Sequence, residues 1–168
     1  MDGSGSRNKG NAFERKISKI LSKHYPGFNL RRVPSSGGLD IKCDIYDPKD
    51  DSFPLFVECK HRKSFSLQTI MGGSSELYPM FDKIERDAGL SYLCKKYKEG
   101  PVPVVIFKGG DFLMDMVAFH ESHYSRIDKT TSNLLRDLNH IKAGSLKIHR
   151  LDNFLRCSDK EPLQRRAT

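Results

Sequence analysis

The strongest constraint on the fold is a pair of segments, Asp40 to Tyr46 and Leu55 to Lys60, in which apolar and polar residues alternate. A period of two marks a strand with one buried face. In the first segment Ile41, Cys43 and Ile45 fall on one side and Asp40, Lys42, Asp44 and Tyr46 on the other. In the second, Leu55, Val57 and Cys59 form the apolar side, opposed by Phe56, Glu58 and Lys60. The polar run Asp47-Pro48-Lys49-Asp50-Asp51 between them suits a hairpin loop. Pairing the two strands sets Asp44 and Glu58 on one face, with core on the other.

The remaining pattern places this hairpin in an α/β chain. Phe13, Ile17, Ile20 and Leu21 draw one apolar stripe on a helix from Ala12 to His24, which Pro26-Gly27 ends. Glu14 falls about 20° from Leu21 on the helical wheel, at the edge of the buried stripe. Phe28 to Val33 reads as a short strand and Pro34-Ser35-Ser36-Gly37-Gly38 as a turn. A helix is predicted from about Ser75 to Lys98, then strands Val102–Lys108 and Phe112–Phe119 joined by Gly109-Gly110. Lys129 to His140 reads as helix, Ser145 to Arg150 as a further strand, and Gln164 to Thr168 as a loose basic tail. The Gly- and Ser-rich opening has no periodicity, and residues 1–8 are expected to be mobile.

A chain of 168 residues has the length of one domain. We expect a single unit, with residues 9–119 as core and 120–168 as a C-terminal extension. Lys and Arg outnumber Asp and Glu 29 to 21, a net charge of +8, which makes a polyanion the natural partner. Cys43, Cys59, Cys94 and Cys157 include no CxxC pair, and the N-terminus lacks the apolar core of a signal peptide, so a reduced, cytoplasmic setting is expected. No apolar run approaches the ~20 residues of a membrane span. Neither a membrane nor an organic cofactor is expected as a partner.

The acidic face has a chemical use. Hydrolysing a phosphodiester requires an activated water and neutralisation of charge on the phosphorus centre and leaving oxygen. Asp44 and Glu58 on adjacent strands suit Mg2+, which prefers hard oxygen ligands and keeps several waters; Mn2+ is expected to substitute. Lys60, two residues after Glu58, lies on the same side, where its ammonium can hold the attacking water or stabilise phosphate charge. Cys59 faces the core but can offer its carbonyl to the metal. Asp40 competes with Asp44 for the aspartate role. Arg31, Arg32, His61, Arg62 and Lys63 are placed in sequence to bind flanking phosphates. A zinc site of Cys43, Cys59 and His61 is disfavoured, since alternation sends both cysteines into the core.

An aspartate followed by a strand carrying Glu58-Cys59-Lys60 resembles the PD-(D/E)xK signature of restriction-endonuclease-like nucleases. The flanks make the likeness more specific. Lys9-Gly10, Phe13-Glu14-Arg15, Arg31-Arg32-Val33-Pro34, Ser36-Gly37-Gly38, Lys42-Cys43-Asp44-Ile45 and Val57-Glu58-Cys59-Lys60-His61 occur in the order found in archaeal-type Holliday junction resolvases and their phage-borne relatives. The likeness covers roughly the first 60 residues. It implies a core of about five strands in a mixed sheet flanked by helices, in αβββαβ order. It also implies that Glu14 completes the metal site from the helix, that Asp44 and Glu58 bind metal, that Lys60 assists catalysis and that Ser36 touches DNA. Lys9 and Arg15, in the same motifs, join the candidate DNA contacts. Preference for Asp44 over Asp40 follows from the Asp-Ile of the family pattern and from its closeness to Glu58 across the hairpin. Cys43 departs from the small residue usual there, and the region after Phe119 has no counterpart.

The resulting expectation is a Mg2+-dependent endonuclease acting on branched or structured DNA, homodimeric because a junction is cut on two strands, and working in the bacterial host cytoplasm if phage-encoded. A duplex endonuclease uses the same chemistry. A DNA-binding module that keeps the fold without cutting would be favoured if Glu14 lay far from Asp44. An RNA-directed protein would expose aromatics for stacking, whereas most aromatics here occupy core positions.

Overall fold

Burial of both faces of one sheet organises the chain. A computed structural model describes residues 3–33, 41–90, 100–127 and 140–157. The elements are helix α1 (Gly3–His24), strands β1 (Arg31–Arg32), β2 (Ile45–Tyr46) and β3 (Leu55–His61), helices α2 (Leu67–Met71) and α3 (Leu77–Leu90), and strands β4 (Val102–Gly109) and β5 (Phe112–His120). Helix α4 (Tyr124–Ile127), strands β6 (Ile141–Ala143) and β7 (Leu146–Arg150) and helix α5 (Leu151–Cys157) complete them. The sheet runs β1-β2-β3-β4-β5-β7-β6. Among the described strands only β3 and β4 are parallel, and α2 and α3 lie in the crossover that parallel strands require.

Alternation divides the core into two layers. Val57, Cys59, Val104, Ile106, Val117 and Phe119 pack under α1 and α5. Phe56, Val105, Phe107, Met116 and Ala118 pack under α2 and α3. The result is a mixed sheet flanked by helices, the restriction-endonuclease-like arrangement expected, with seven strands rather than about five. The extra pair is the β6–β7 hairpin. β7 lies along β5, so residues beyond Phe119 extend the same sheet. The Ser145–Arg150 prediction is met by β7, while three-residue β6 is too short to show alternation. Among the described residues no helix is long and apolar enough to cross a membrane.

Local departures have local causes. α1 already begins at Gly3, through residues that carry no apolar period and so no sequence signal. β1 keeps Arg31–Arg32 of the expected Phe28–Val33 strand, because side chains take the backbone groups before it: Asp47 Oδ2 accepts the Asn29 N–H at 2.5 Å. The Leu30 carbonyl accepts from Ser18 Oγ of α1 at 2.9 Å instead of joining a ladder. α3 spans Leu77–Leu90 of the predicted Ser75–Lys98 helix, with 91–99 outside the described residues, as are residues 34–40, Cys94, 129–139 of the Lys129–His140 helix, and the C-terminal tail.

The β4–β5 turn is clamped beneath the segment that follows Lys60. Gly109 and Gly110 have φ of 131° and 57°, and a Cβ on Gly110 would lie 1.6 Å from the Phe65 carbonyl oxygen. Only glycine permits both that backbone and that approach. The Arg62 N–H also donates to the Lys108 carbonyl at 3.0 Å.

Candidate active site

β3 supplies the Glu-x-Lys pair from the middle of the sheet. The side chains of Glu58 and Lys60 share one face, and Lys60 Nζ lies 2.5 Å from Glu58 Oε1, with 27% and 16% of the respective side chains exposed. That face is not open along its length. Phe56, expected beside them on the polar side, is on the same face but buried in the second core layer, so only the C-terminal half of β3 reaches solvent.

Asp44 reaches the pair through an interrupted strand. Ile45 registers opposite Val57, yet the Asp44 amide also donates to the Val57 carbonyl at 2.8 Å. Two consecutive residues thus address one partner residue, as in a β-bulge, and the alternation read from Asp40 to Tyr46 fails here. Cys43 consequently packs with the second core layer and Ile45 with the first, not on one side together as expected. The turned Asp44 side chain takes the place of a ladder acceptor. Its Oδ2 accepts the Cys59 N–H at 2.7 Å, where β2 parts from β3. Asp40 lies outside the described residues.

Burial and crowding of like charge perturb this group. Burial, then the charge of Glu58, push the Asp44 carboxyl up from 3.8 to about 6, against the Cys59 amide and Lys60. Burial alone would pull Lys60 down, but the charge and hydrogen bond of Glu58, helped by Asp44, hold it above the usual lysine value. Burial, and then Asp44, push the Cys43 thiol up to about 12, and burial likewise raises Cys59. Both thiols stay protonated at neutral pH, so neither is a ready soft metal ligand.

Glu14 stands at the rim. Its negative charge acts on Asp44 and Cys59, but its Oε2 accepts from Arg32 Nε in a close ion pair. Arg32 Nη2 also donates to Asn11 Oδ1 at 2.8 Å. Asn11 carries a single signal in the sequence, its position one helical turn before Glu14. Arg31 and Arg32 point to opposite faces, as neighbours on a strand must, and Arg31 is exposed.

The other candidate DNA contacts scatter around this edge. His61 lies on the α1 side, its ring 5.6 Å from that of Phe13. Arg62 pairs with Glu76 at 2.6 Å, both half-exposed. Lys63 is exposed, as are Lys9 and Arg15 on α1, and Ser36 lies outside the described residues.

A family model described as "Phage putative PDDEXK endonuclease" matches residues 5–158. No curated protein and no solved structure matches the chain. The family match runs from α1 through α5 and takes in every described strand, including the C-terminal hairpin for which the motif likeness had no counterpart. On this evidence the chain belongs to the phage PDDEXK endonuclease family.

Proposed function

We propose that this chain cleaves the phosphodiester backbone of DNA with a divalent cation, and that it acts on branched or otherwise structured DNA as a homodimer in the host cytoplasm. The observation that supports the reading most is the Asp44 carboxylate seated on the Cys59 amide, within the field of Glu58 and Lys60, where β2 leaves β3. Two carboxylates and the Cys59 carbonyl form an all-oxygen donor set of the kind Mg2+ and Mn2+ prefer. Among the described residues no group of three His, Cys, Asp or Glu side chains is placed to hold an ion. Magnesium, which keeps several waters, is served by one or two carboxylates.

In this reading Asp44 and Glu58 hold the cation, which when bound supplies Lewis acidity to the phosphate and acidifies the attacking water. Lys60, drawn to Glu58 without substrate, turns to the phosphate or holds the water. Arg31, His61, Arg62, Lys63, Lys9 and Arg15 bind flanking phosphates, and Glu14 joins the site from α1. The whole chain acts as one nuclease domain, an assignment that the pairing of β7 with β5 supports. Preference for branched DNA rests on the motif likeness, and the dimer on the need to cut two strands symmetrically.

The test is incubation of the protein and of Glu58→Gln with labelled four-way-junction, single-stranded and duplex DNA, with and without Mg2+, on a denaturing gel. Paired nicks near the junction centre that need Mg2+ and Glu58 are expected. Equal cutting of all substrates would remove the junction preference, and binding without cutting would sink the catalytic reading.

A further inference from the structure

The Arg32–Glu14–Asn11 contact has no role in the chemistry described so far, and it ties up a carboxylate beside the proposed cation site. Arg32 registers opposite Ile45, so it projects to the α1 side of the sheet, where Ile45 is buried. Its guanidinium spans Glu14 and Asn11, three residues apart on α1. The pair is sheltered, with 27% of the Arg32 and 17% of the Glu14 side chain exposed, so bulk salt screens it less than a surface pair. Glu14 is close enough for its charge to act on Asp44, yet its Oε2 is committed to the arginine. A guanidinium is also the side chain best matched to a phosphate, so Glu14 and a DNA backbone phosphate compete for one fork of donors.

Building on the nuclease reading above, we propose that Arg32 is a positioning residue that latches Glu14 away from the Asp44–Glu58 pair and yields it when a substrate phosphate takes the guanidinium, completing the cation site only with DNA in place. Asn11 braces the latch: its neutral amide oxygen holds Nη2 and keeps Nε aimed at Glu14. Before DNA arrives, the Arg32 charge offsets the repulsion among Glu14, Asp44 and Glu58 and opposes entry of a cation. Afterwards, three carboxylates converge with the positive charge moved to phosphate. Binding of DNA and cation is therefore mutually reinforcing.

The decisive measurement is Mn2+ binding to DNA-free protein, followed by the loss of the free-ion electron paramagnetic resonance signal. Arg32→Met is expected to bind Mn2+ about fivefold or more tightly than the unmodified chain, since a nearby cation is removed and Glu14 is released. Adding Glu14→Gln to Arg32→Met should abolish the gain, whereas Glu14→Gln alone, which leaves the Arg32 charge unpaired beside the site, should weaken Mn2+ binding and not tighten it. DNA cleavage by Arg32→Met should fall despite tighter metal binding, a divergence that a merely structural arginine would not produce. Should Arg32→Met not fold, Asn11→Ala carries the test, with a smaller tightening of about twofold expected. Mn2+ affinity that is unchanged or weaker in the variant used, or a gain that survives Glu14→Gln, overturns the latch. Failure of the unmodified chain to cut any DNA with Mg2+ would instead overturn the nuclease mechanism, and the gel assay registers that separately.

Discussion

At the β2–β3 edge of the sheet, Asp44 is partly buried beside Glu58, and its carboxyl is pushed up to about 6. Across the sheet at β5–β7, His149 is fully buried, its Nε2 3.2 Å from the Tyr124 hydroxyl and its ring between those of Phe119 and His140. Burial, then the charges of His140 and Lys147, push that imidazole down to about 4. Both groups lose their charge more readily than in water, with opposite consequences. His149 is simply neutral at pH 7 and packs as an aromatic ring. Asp44 is still mostly ionised at pH 7, and the fold bears an uncomfortable charge there. Where ionisable groups serve packing the chain neutralises them; where they face solvent beside Glu58 and Lys60 it keeps them charged at a cost in stability.

The largest effect should come from removing that charge. Asp44→Asn preserves an acceptor for the Cys59 amide while deleting a carboxylate that Glu58 and Glu14 repel. Cleavage should fall by about 10²–10³-fold or more, while stability at pH 7 should rise by about 1 kcal/mol. Gel assays and chemical denaturation of the same preparation measure both, and a variant that is less active and also clearly less stable would mean that Asp44 is chiefly structural. Next in size is Gly110→Ala, which brings a methyl against the Phe65 carbonyl at positive φ. A loss of about 2–4 kcal/mol is expected, or roughly 5–15 °C in Tm, because the clamp beneath residues 62–65 must open. A Tm within 2 °C of the parent, on that same scale, would show that the clamp is soft.

The contrast also predicts opposing pH slopes. Burial, then Arg126, push His123 down to about 4, as burial does for His149. Between about pH 4 and 6 these histidines are neutral when folded and protonated when unfolded, so each adds up to about 1.4 kcal/mol of stability per pH unit as pH rises. Asp44 is protonated when folded and ionised when unfolded across that window, so it subtracts a similar slope. The net slope should be positive, steeper in Asp44→Asn and flatter in His149→Phe. Denaturant titrations at pH 4.5 and 6 resolve the ordering; identical slopes in all three proteins would remove the distinction between the two ends of the sheet.

The same contrast explains what could be read from the sequence. β3, β4 and β5 were legible because their apolar residues meet helices on regular sheet positions, and the Glu58–Lys60 spacing survives directly as a shared face. β2 was not, because the Cys43–Asp44 irregularity changes sides without changing the residue pattern. Alternation set Asp44 on one face with Glu58; in the structure Asp44 comes within reach of the Glu58 charge by another route, taking the Cys59 N–H in place of a ladder bond. Glu14 was visible as a carboxylate bordering an apolar stripe, but its partner was not, since Arg32 and Asn11 converge on it only once β1 lies against α1.

The smallest effect concerns the exposed ion pair between Arg62 and Glu76. Half-exposed on both sides, it should contribute no more than about 0.5–1 kcal/mol, so Glu76→Gln should leave Tm nearly unchanged. Its influence on DNA should be larger than on stability. Arg62 follows Lys60 by two residues, and freeing its guanidinium from Glu76 adds a cation for backbone phosphate beside the site. Affinity for duplex DNA should tighten a few-fold, and the slope of log K against log salt should steepen by about 0.9, the value for one additional phosphate contact. Titrating fluorescent duplex from 50 to 200 mM salt would give that slope. An unchanged slope would place Arg62 outside the DNA path and confine the phosphate-binding rim to Arg31, His61, Lys63 and the cations of α1.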